Sequence, residues 1–487
     1  MKLIKKYPAF LALLFFFSCA KEATTWERVD MDEAKMFSIG FYEADNPDAL
    51  VKDYVLDNIK TNNLVILLPE NIDRKKLVAR FTVSANTTVK IDGVEQKSRE
   101  TINDFSVPKD YILSHGNNNA KYTVSIGKGA DYVWKPLAFT YNDSATTFIL
   151  KVNPETGDPF IMFNQSRTPT DNQKAAMLAY EDNNWINKGE ISDGRIGNFD
   201  FTFNSQGTAY ASYADYTASI SQLNTVKKYT SGTSWSLVGN KGITTSRVTY
   251  NALAFPNDNK LFLFSTMDAA GVLARRELGI SIYENNTWTT NATIPGRASS
   301  IFGYLQVARV KNGVIYLGVF NASSPNSVSL YKYENNTWET LADQWRDTRA
   351  TALNVRDFDM DVDDEGNVYA AFADNSDNAT YKYRVIKYNA ATKTTTPLAS
   401  YINGASGNLF SFDLALSPLG VPYLFYRNSS NYPTIVSFDR ESQDWTLPYI
   451  FEAQVADELN LDFAPNGEAY VAYLKNRKFF VHKYSAP

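Results

Sequence analysis

Histidine and cysteine are nearly absent from this chain of 487 residues, which contains 2 histidines and 1 cysteine. A Ser-His-Asp triad or a multi-histidine zinc site is difficult to build from His115 and His482, which are distant in the sequence. One cysteine cannot form an internal disulfide. Glycine-rich phosphate loops are also missing. We therefore expect no cofactor and no bound metal.

The acidic stretch that begins at Asp357 has the composition of a calcium loop but not its spacing. An EF-hand loop starting at Asp359 requires glycine where Asp364 stands and a closing glutamate where Ala370 stands. Aspartates alternate here with apolar residues, which is typical of a strand with one polar face. We interpret this stretch as a strand followed by a turn, and the alternative of a metal site has the wrong ligand spacing.

A basic surplus is absent as well, since 48 Lys and Arg face 53 Asp and Glu and give a net charge of −5. This balance argues against nucleic acid as a partner. Aromatic residues are abundant instead, with 30 Tyr, 30 Phe and 8 Trp. Such a composition suits many short strands and argues against disorder. We expect an all-β chain with two domains, or one large repeat array and a smaller domain.

The N-terminus is typical of a secretion signal, because three lysines precede an apolar run that ends at Phe17. A transmembrane anchor is the weaker alternative, since a spanning helix needs roughly 20 apolar residues. The segment Phe16-Phe17-Ser18-Cys19 resembles the lipobox of bacterial lipoproteins, with Phe16 where Leu is usual, as in many lipoproteins of the Bacteroidetes. The resemblance implies that residues 1–18 are removed and that Cys19 carries the lipid.

Polar residues follow the cysteine, and residues 19–35 are expected to form a tether. Lys21-Glu22 resembles the short charged signal that sends such lipoproteins to the outer face of the outer membrane. Several acyl chains hold a protein to a membrane more firmly than one chain does. We therefore expect a protein anchored to the outer membrane through Cys19 and exposed at the cell surface.

Residues 36–127 contain short β runs separated by turn signals. Asp92-Gly93 after an alternating strand predicts a hairpin, and Asn117-Asn118-Asn119 predicts a loop. The order of features resembles the Ig-like domains that follow the anchor in Bacteroidetes surface lipoproteins, and the resemblance implies a β-sandwich that acts as a spacer. These features are Ala44-Asp45-Asn46-Pro47, Leu68-Pro69, Phe81-Thr82-Val83-Ser84, Val89-Lys90-Ile91-Asp92-Gly93-Val94 and Lys121-Tyr122-Thr123-Val124.

From residue 130 onwards the chain is repetitive, with a period of about fifty residues. Five of the repeats contain an aromatic residue, a polar turn and then Trp, and all seven contain a turn followed by an aromatic strand. In one copy Thr395 stands where Trp is expected. The aromatic–Trp phrases are Tyr180–Trp185, Tyr229–Trp235, Tyr283–Trp288, Tyr333–Trp338 and Phe438–Trp445. The turns are at Gly157, Gly207, Asn259, Gly313, Gly366, Gly420 and Gly467.

Four antiparallel strands per repeat of this length predict a β-propeller blade. The seventh repeat stops at Tyr484 without its Trp strand, whereas Trp134 precedes the first complete repeat in a matching segment. That segment can serve as the outer strand of the last blade and close the ring. We predict a seven-bladed β-propeller over residues 130–487, in which the Trp residues pack between blades.

Polar residues recur on the first strand of most repeats, seven positions before the turn, and are expected near the central channel. Hydrogen bonding between blades is the simpler interpretation, because buried polar groups usually find partners. Paired carboxylates for glycoside hydrolysis are the alternative. These residues are Asp200, Gln306, Asp359, Asp413 and Asn460.

Arginines recur in the connections between repeats, which should share one face of a propeller. Guanidinium groups there could bind a carboxylated or sulfated ligand, and Trp345 could stack on a sugar. Solvated charge or loop bracing is the alternative. The candidates are Arg195, Arg247, Arg297, Arg346 and Arg349, and Arg167, Arg275, Arg276 and Arg427 lie in or beside the neighbouring loops.

Together these features favour a surface lipoprotein whose propeller binds a glycan or a protein ligand without catalysis. One alternative is a polysaccharide-active hydrolase or lyase that uses channel carboxylates and arginines. Another is a structural component of an outer-membrane complex. The fold alone cannot distinguish these functions, because propellers support many of them.

Overall fold

The structure is a computed structural model. It describes residues 33–57, 59–69, 72–129, 132–139, 141, 144–165, 173–217, 219–323, 326–346, 358–374, 381–405, 412–440 and 442–485. The chain divides into two compact units. Unit 1 contains residues 1–46, 53–68 and 72–129, and unit 2 contains residues 47–52, 69–71 and 130–487. The predicted signal peptide and Cys19 lie outside the described residues.

The described part of unit 1 consists of two β-sheets and one turn of 3-10 helix, Glu43–Asp45. The strand orders are β2-β1-β4-β7 and β3-β9-β8-β5-β6, and the β3–β9 pair is parallel. The strands are β1 (Met36–Phe41), β2 (Tyr54–Asp57), β3 (Asn63–Leu68), β4 (Leu77–Val83), β5 (Thr88–Ile91), β6 (Val94–Glu95), β7 (Ile102–Asn103), β8 (Lys109–His115) and β9 (Asn118–Lys128).

Two turn predictions for unit 1 have different outcomes. The hairpin at Asp92-Gly93 is confirmed, since both residues have positive φ (49° and 81°) between β5 and β6. The loop predicted over Asn117–Asn119 is wrong in extent. Asn118 and Asn119 already belong to β9, because Gly116 takes the left-handed conformation (φ 56°) and turns the chain early.

Unit 2 is all-β, and its described strands form seven sheets of meandering antiparallel strands. No helix among the described residues of either unit is long and apolar enough to span a bilayer. Sheet 1 is β11 (Ala145–Val152), β12 (Pro159–Gln165), β13 (Ala175–Glu181) and β14 (Asn184–Glu190); sheet 2 is β15 (Ile196–Phe203), β16 (Ala209–Asp215), β17 (Leu223–Ser231) and β18 (Ser234–Leu237); sheet 3 is β19 (Val248–Asn257), β20 (Lys260–Met267), β21 (Leu278–Glu284) and β22 (Thr287–Ala292).

The later sheets repeat this order, and the last one takes its outer strand from the start of the unit. Sheet 4 is β23 (Gly303–Lys311), β24 (Val314–Asn321), β25 (Ser327–Glu334) and β26 (Thr337–Trp345); sheet 5 is β27 (Phe358–Val362), β28 (Val368–Asp374), β29 (Tyr381–Asn389) and β30 (Thr394–Gly404); sheet 6 is β31 (Phe412–Leu416), β32 (Pro422–Arg427), β33 (Pro433–Asp439), β34 (Asp444–Trp445) and β35 (Tyr449–Ile450); sheet 7 is β36 (Leu459–Phe463), β37 (Ala469–Lys475), β38 (Lys478–Ser485) and β10 (Val133–Leu137).

The outer strand of sheet 7 is β10, as the sequence predicts for this segment. Trp134 pairs with Tyr484, and the two rings lie 4.9 Å apart. Trp134 also contacts Phe451 with its ring at 5.2 Å. The two ends of unit 2 therefore share one sheet, and neither β10 nor β38 is left as an isolated strand.

The aromatic–Trp phrase is the hairpin between the third and fourth strands of a sheet, which confirms its predicted position. Asn335 and Asn336 have φ of 50° and 60°, the conformation of a type I′ turn. Thr395 pairs with Tyr388 and so occupies the Trp position in sheet 5. The equivalent pairs are Tyr180–Trp185, Tyr229–Trp235, Tyr283–Trp288, Tyr333–Trp338 and Phe438–Trp445.

Most of these Trp residues hydrogen-bond to the preceding sheet. The indole N–H donates to a backbone carbonyl in or just beyond the outer strand of that sheet, so the ring spans two sheets. Such a bond satisfies a group that a half-buried ring would otherwise leave unpaired. The donor–acceptor pairs are Trp185–Ala138 (3.1 Å), Trp235–Lys188 (2.8 Å), Trp288–Val238 (2.7 Å) and Trp445–Ser400 (3.0 Å).

The turns between the first and second strands use left-handed glycine, as the sequence predicts, with one exception. Gly313 and Gly366 have φ of 77° and 80°. Asn259 stands at the equivalent turn of sheet 3; Asn can also adopt the left-handed conformation, but Asn259 does not have positive φ. The β19–β20 ladder continues to Asn257 and Lys260 there, with Asp258 and Asn259 as the intervening turn.

Polar contacts connect each sheet of unit 2 to the next, and sheet 7 to sheet 1. The first strand of every sheet is an edge strand, so its outward N–H groups need acceptors from elsewhere. Side chains on neighbouring first strands accept several of these N–H groups. In chain order the contacts are Lys151–Asp200 (2.7 Å), Leu253 N–Asp200 (2.8 Å), Thr266–Gln306 (2.7 Å), Arg309–Asp359 (3.0 Å), Leu414 N–Asp359 (2.9 Å), Leu461 N–Asp413 (2.7 Å) and Leu150 N–Asn460 (2.8 Å).

Candidate functional site

Two kinds of loop meet at the same end of each sheet in unit 2. Because the strands are antiparallel, the loop between the second and third strands lies beside the connection that enters the first strand of a sheet. We call these the upper loops. Loops at one end of a rigid sheet commonly carry binding residues, and several of the predicted arginines lie on these segments.

Arg195 lies in the connection into sheet 2 and contacts an aromatic ring. Its guanidinium carbon is 5.2 Å from the centroid of Tyr216, and the Tyr216 N–H donates to the Arg195 carbonyl at 3.1 Å. Tyr216 is 39% exposed. The guanidinium group and part of the Tyr ring are therefore both accessible from solvent.

Arg247 lies in the connection into sheet 3 and is weakly paired. Its Nη2 is 3.9 Å from Oδ2 of Asp268, and its side chain is 56% exposed. Arg275, in the second-to-third-strand loop of the same sheet, donates through Nε to the Asp268 carbonyl at 3.0 Å. An exposed ion pair such as that of Arg247 contributes little energy, and Arg275 donates only to a backbone carbonyl, so both guanidinium groups can exchange partners easily.

Arg276 follows directly and has an unusual backbone and side chain. Its φ is 66°, a conformation that non-glycine residues seldom adopt and that costs free energy. The guanidinium carbon lies 5.5 Å from the ring centroid of Tyr304, which in turn packs against Tyr250 at 5.2 Å. Nη1 of Arg276 is buried and donates to no described residue.

These residues form one candidate site, the arginine surface, made of Arg195, Arg247, Arg275, Arg276, Tyr216 and Tyr304. Hydrogen bonds join its parts, because Gln222 at the end of the Tyr216 loop donates to the Val248 carbonyl at 2.9 Å. The sequence placed Arg275 and Arg276 near a second loop without assigning them to the site. Two adjacent arginines in that loop could have suggested a binding role from the sequence. Their contacts with Asp268 and Tyr304 are not visible in the sequence.

Arg297, another predicted ligand, is held by its own sheet. Its guanidinium donates to the Tyr331 hydroxyl (2.8 Å), to Oδ1 of Asn321 (2.8 Å) and to the Ile301 carbonyl (3.2 Å). Asn321 is fully buried. These hydrogen bonds brace the loop. They leave fewer N–H donors free to bind a ligand in Arg297 than in Arg247.

The remaining predicted residues lie at the end of sheet 4. Trp345 is half-buried in β26, pairs with Val328, and contacts Phe372 with ring centroids 6.4 Å apart. Arg346 is exposed beside it. Arg349 and Arg167 lie outside the described residues. Trp345 therefore packs at the boundary of sheets 4 and 5, separately from the arginine surface.

The five predicted channel residues all lie on first strands and take part in the contacts between sheets. Two further carboxylates strengthen this set, since Asp361 accepts from the Leu416 N–H (2.8 Å) and Asp462 from the Val152 N–H (2.6 Å). The sequence did not single out Asp462. Asp462 lies two residues after Asn460, on the same side of the strand, and this spacing could have identified it as a further channel residue.

Several of these carboxyl groups hold protons more strongly than usual. Burial raises the pKa of Asp462 to about 6. Burial and the neighbouring Asp359 carboxylate raise the pKa of Asp413 well above its ordinary value. Burial also raises the pKa of Asp361, although Arg309 acts in the opposite direction.

Neither histidine lies at the arginine surface. His115 belongs to unit 1, where Nδ1 is 3.5 Å from the Thr87 hydroxyl. His482 lies in β38 against Phe451 and Tyr473, and burial lowers its pKa. Across the described parts of the chain, no group of three or more His, Cys, Asp or Glu side chains is arranged to hold a metal ion.

Comparison with known proteins shows a likeness in fold alone. No protein-family profile matches the chain, and no curated protein matches it. A solved PL25 polysaccharide lyase, an ulvan lyase bound to -[GlcA(1-4)Rha3S]-, has a TM-score of 0.50 and 11% identity over 72% of this chain and 96% of that chain. A DUF4623 family protein from Bacteroides eggerthii covers 93% of this chain and 99% of its own, with 11% identity and a TM-score of 0.35. The chain thus has an all-β fold similar to that of the lyase.

Proposed function

We propose that unit 2 is a seven-bladed β-propeller closed by β10. The seven described sheets, the contact from sheet 7 back to sheet 1 and the Trp bonds between neighbouring sheets support this architecture. For unit 1 we propose an Ig-like sandwich that serves as a spacer, supported by its two sheets and the parallel β3–β9 pair. The chain is anchored to the outer membrane through Cys19 and faces the cell exterior.

The propeller binds an acidic glycan at the arginine surface. The main support for this proposal is the environment of Arg276. Its guanidinium group lies over the Tyr304 ring, and its buried Nη1 donates to no described residue. Exposed Arg247 and Arg275 lie beside it. A cationic surface of this kind on a chain of net charge −5 favours an anionic ligand.

The chemistry of the surface matches a sugar acid or a sugar sulfate. Guanidinium groups bind carboxylate and sulfate oxygens through paired N–H donors. The exposed part of the Tyr216 ring supplies an apolar face on which a pyranose ring can rest. The ulvan lyase of similar fold is described as bound to a sulfated, uronic-acid-containing unit, and this ligand class is the first to test here.

Binding without turnover is preferred to a hydrolase or lyase that uses the channel carboxylates. Asp200, Asp359 and Asp413 each accept a backbone N–H from the next sheet, which engages one oxygen of each group. These bonds assign the carboxylates a role in holding the sheets together. A purely structural role in an outer-membrane complex leaves Arg276 and its neighbours without a ligand.

A polysaccharide array tests the proposal with the full mature chain. We expect retention on uronic-acid-containing and sulfated polysaccharides, none on neutral ones, and loss of retention in the Arg247→Ala Arg276→Ala double variant. Measurement of reducing ends and of unsaturated products on the same polymers tests for turnover. Retention that is equal in wild type and double variant would contradict the assigned surface, and turnover that is lost in Asp359→Asn would contradict binding without catalysis.

A further inference from the structure

Arg427, at the end of β32, is buried between sheets 6 and 7. Only 5% of the residue is exposed. Its backbone is fixed, because its carbonyl accepts the Ala405 N–H (3.0 Å) and the Tyr383 hydroxyl (3.3 Å). The side chain is directed toward the connection into sheet 7, where Nη1 donates to the Ala456 carbonyl at a long 3.4 Å.

The rest of the guanidinium group lacks acceptors. Nε and Nη2 of Arg427 are buried and donate to no described residue, and Arg427 forms no ion pair with a described carboxylate. A buried charge without a partner is costly, and a buried arginine is usually paired. The three N–H groups on Nε and Nη2 are therefore directional hydrogen-bond donors without an acceptor among the described residues.

Another buried arginine of the same unit shows the usual solution. Arg384 in sheet 5 has a side chain that is 5% exposed, and its Nε is 2.9 Å from Oδ2 of the fully buried Asp374. Arg427 is as deeply buried as Arg384 but has no equivalent carboxylate. The difference points to an acceptor that the described chain does not itself supply.

We infer that Arg427 binds an oxyanion between sheets 6 and 7. The Nε and Nη2 edge of a guanidinium matches two oxygens of a carboxylate or sulfate group. This site goes beyond the proposed glycan surface, which is built on the upper loops of sheets 2, 3 and 4. Two kinds of ligand could supply such an oxyanion, namely a free inorganic ion and the acid group of a sugar.

Thermal unfolding of the full mature chain in sodium sulfate and in sodium chloride of equal ionic strength tests the site. Ligand binding to the native state raises Tm by mass action, so sulfate should raise the Tm of wild type by about 1–3 °C more than chloride does. Arg427→Met, which keeps the length without the charge, should show only the general stabilisation that sulfate gives to folded proteins, and so a smaller difference from chloride than wild type shows. Arg440→Met removes an exposed arginine and should behave as wild type does.

A second variant keeps the test decisive if Arg427→Met does not fold. Arg427→Lys retains a cation but loses the paired donors, and should lose at least half of the sulfate-specific shift. Equal sulfate-specific shifts in wild type and both Arg427 variants, or none in wild type, would overturn the inference. Glucose 6-sulfate in place of sulfate identifies the source: a shift that depends on Arg427 supports a sugar acid group, and a shift with free sulfate only supports an inorganic ion.

Discussion

Arginine residues serve at least three different purposes in unit 2, and their surroundings decide which. Arg297 donates to Tyr331 and Asn321 and braces a loop. Arg309 pairs with Asp359 on the first strands. Arg276 lies over Tyr304 with a buried N–H that has no described acceptor. At the residue scale, only the third arrangement favours an external ligand.

Replacement of Arg297 by Ala should lower stability and leave glycan binding unchanged. The variant leaves the buried Asn321 without its donor, and we expect a loss of about 1–3 kcal/mol in the free energy of unfolding. Urea unfolding of the full chain measures this loss. Arg247→Ala, which removes an exposed and weakly paired side chain, is the matched control and should change stability by less than about 0.5 kcal/mol. Loss of glycan binding by a stably folded Arg297→Ala protein would assign the residue to the ligand instead.

Asp462→Asn should stabilise the protein at neutral and alkaline pH. Burial raises the pKa of Asp462 to about 6 in the folded state, against roughly 3.9 in an unfolded chain. The folded state therefore binds more protons between these values, and wild-type stability falls as pH rises through that window. The amide keeps an acceptor for the Val152 N–H but never ionises. We expect a gain on the order of 1 kcal/mol at pH 8, after allowance for solvent screening.

The pH dependence distinguishes this explanation from a simple change in packing. The stability difference between Asp462→Asn and wild type should shrink as pH falls, and most of it should be lost by pH 4, close to the unfolded-state pKa of roughly 3.9. Unfolding free energies at pH 4, 6 and 8 measure it. A variant that is less stable than wild type by the same amount at every pH would show that the ionised carboxylate is the favoured form.

At the scale of elements, the hairpin with its Trp is the unit that the sequence predicts best. The repeated order of aromatic residue, polar turn and Trp marks a local structure, and local patterns are visible in a single sequence. The bond from the Trp288 indole to the Val238 carbonyl joins two different sheets. Such a contact depends on the three-dimensional arrangement, so the sequence predicted packing between sheets but not this hydrogen bond.

Trp288→Phe should destabilise unit 2 through the loss of that bond. Phe retains most of the ring contact with Tyr283, which lies 5.1 Å away, but leaves the Val238 carbonyl without its donor. We expect a loss of about 1–2 kcal/mol, measured by urea unfolding. Trp338→Phe is the matched control, because Trp338 contacts Phe264 and Tyr333 through its rings and makes no such indole bond to the described chain. Equal losses in the two variants would assign the effect to ring volume.

At the scale of the whole molecule, repeat period and strand order were predictable, whereas the site was only partly so. The period gave the number of sheets, and the segment around Trp134 predicted the outer strand of sheet 7. Arg195 and Arg247 were predicted on the loops where they lie. Arg276 and Tyr304 come together from segments of different sheets, and a single sequence contains no record of such a contact.

The proposed binding of an acidic glycan at the arginine surface depends on Arg276 more than on any other residue of that surface. Titration calorimetry on the full mature chain should use the acidic polysaccharide that the array retains best. We predict that Arg276→Met weakens binding at least about tenfold, as expected when a charge-assisted donor is lost, and that Arg440→Met has no effect. Equal affinity of wild type and Arg276→Met for that polysaccharide would show that the arginine surface does not bind it as proposed.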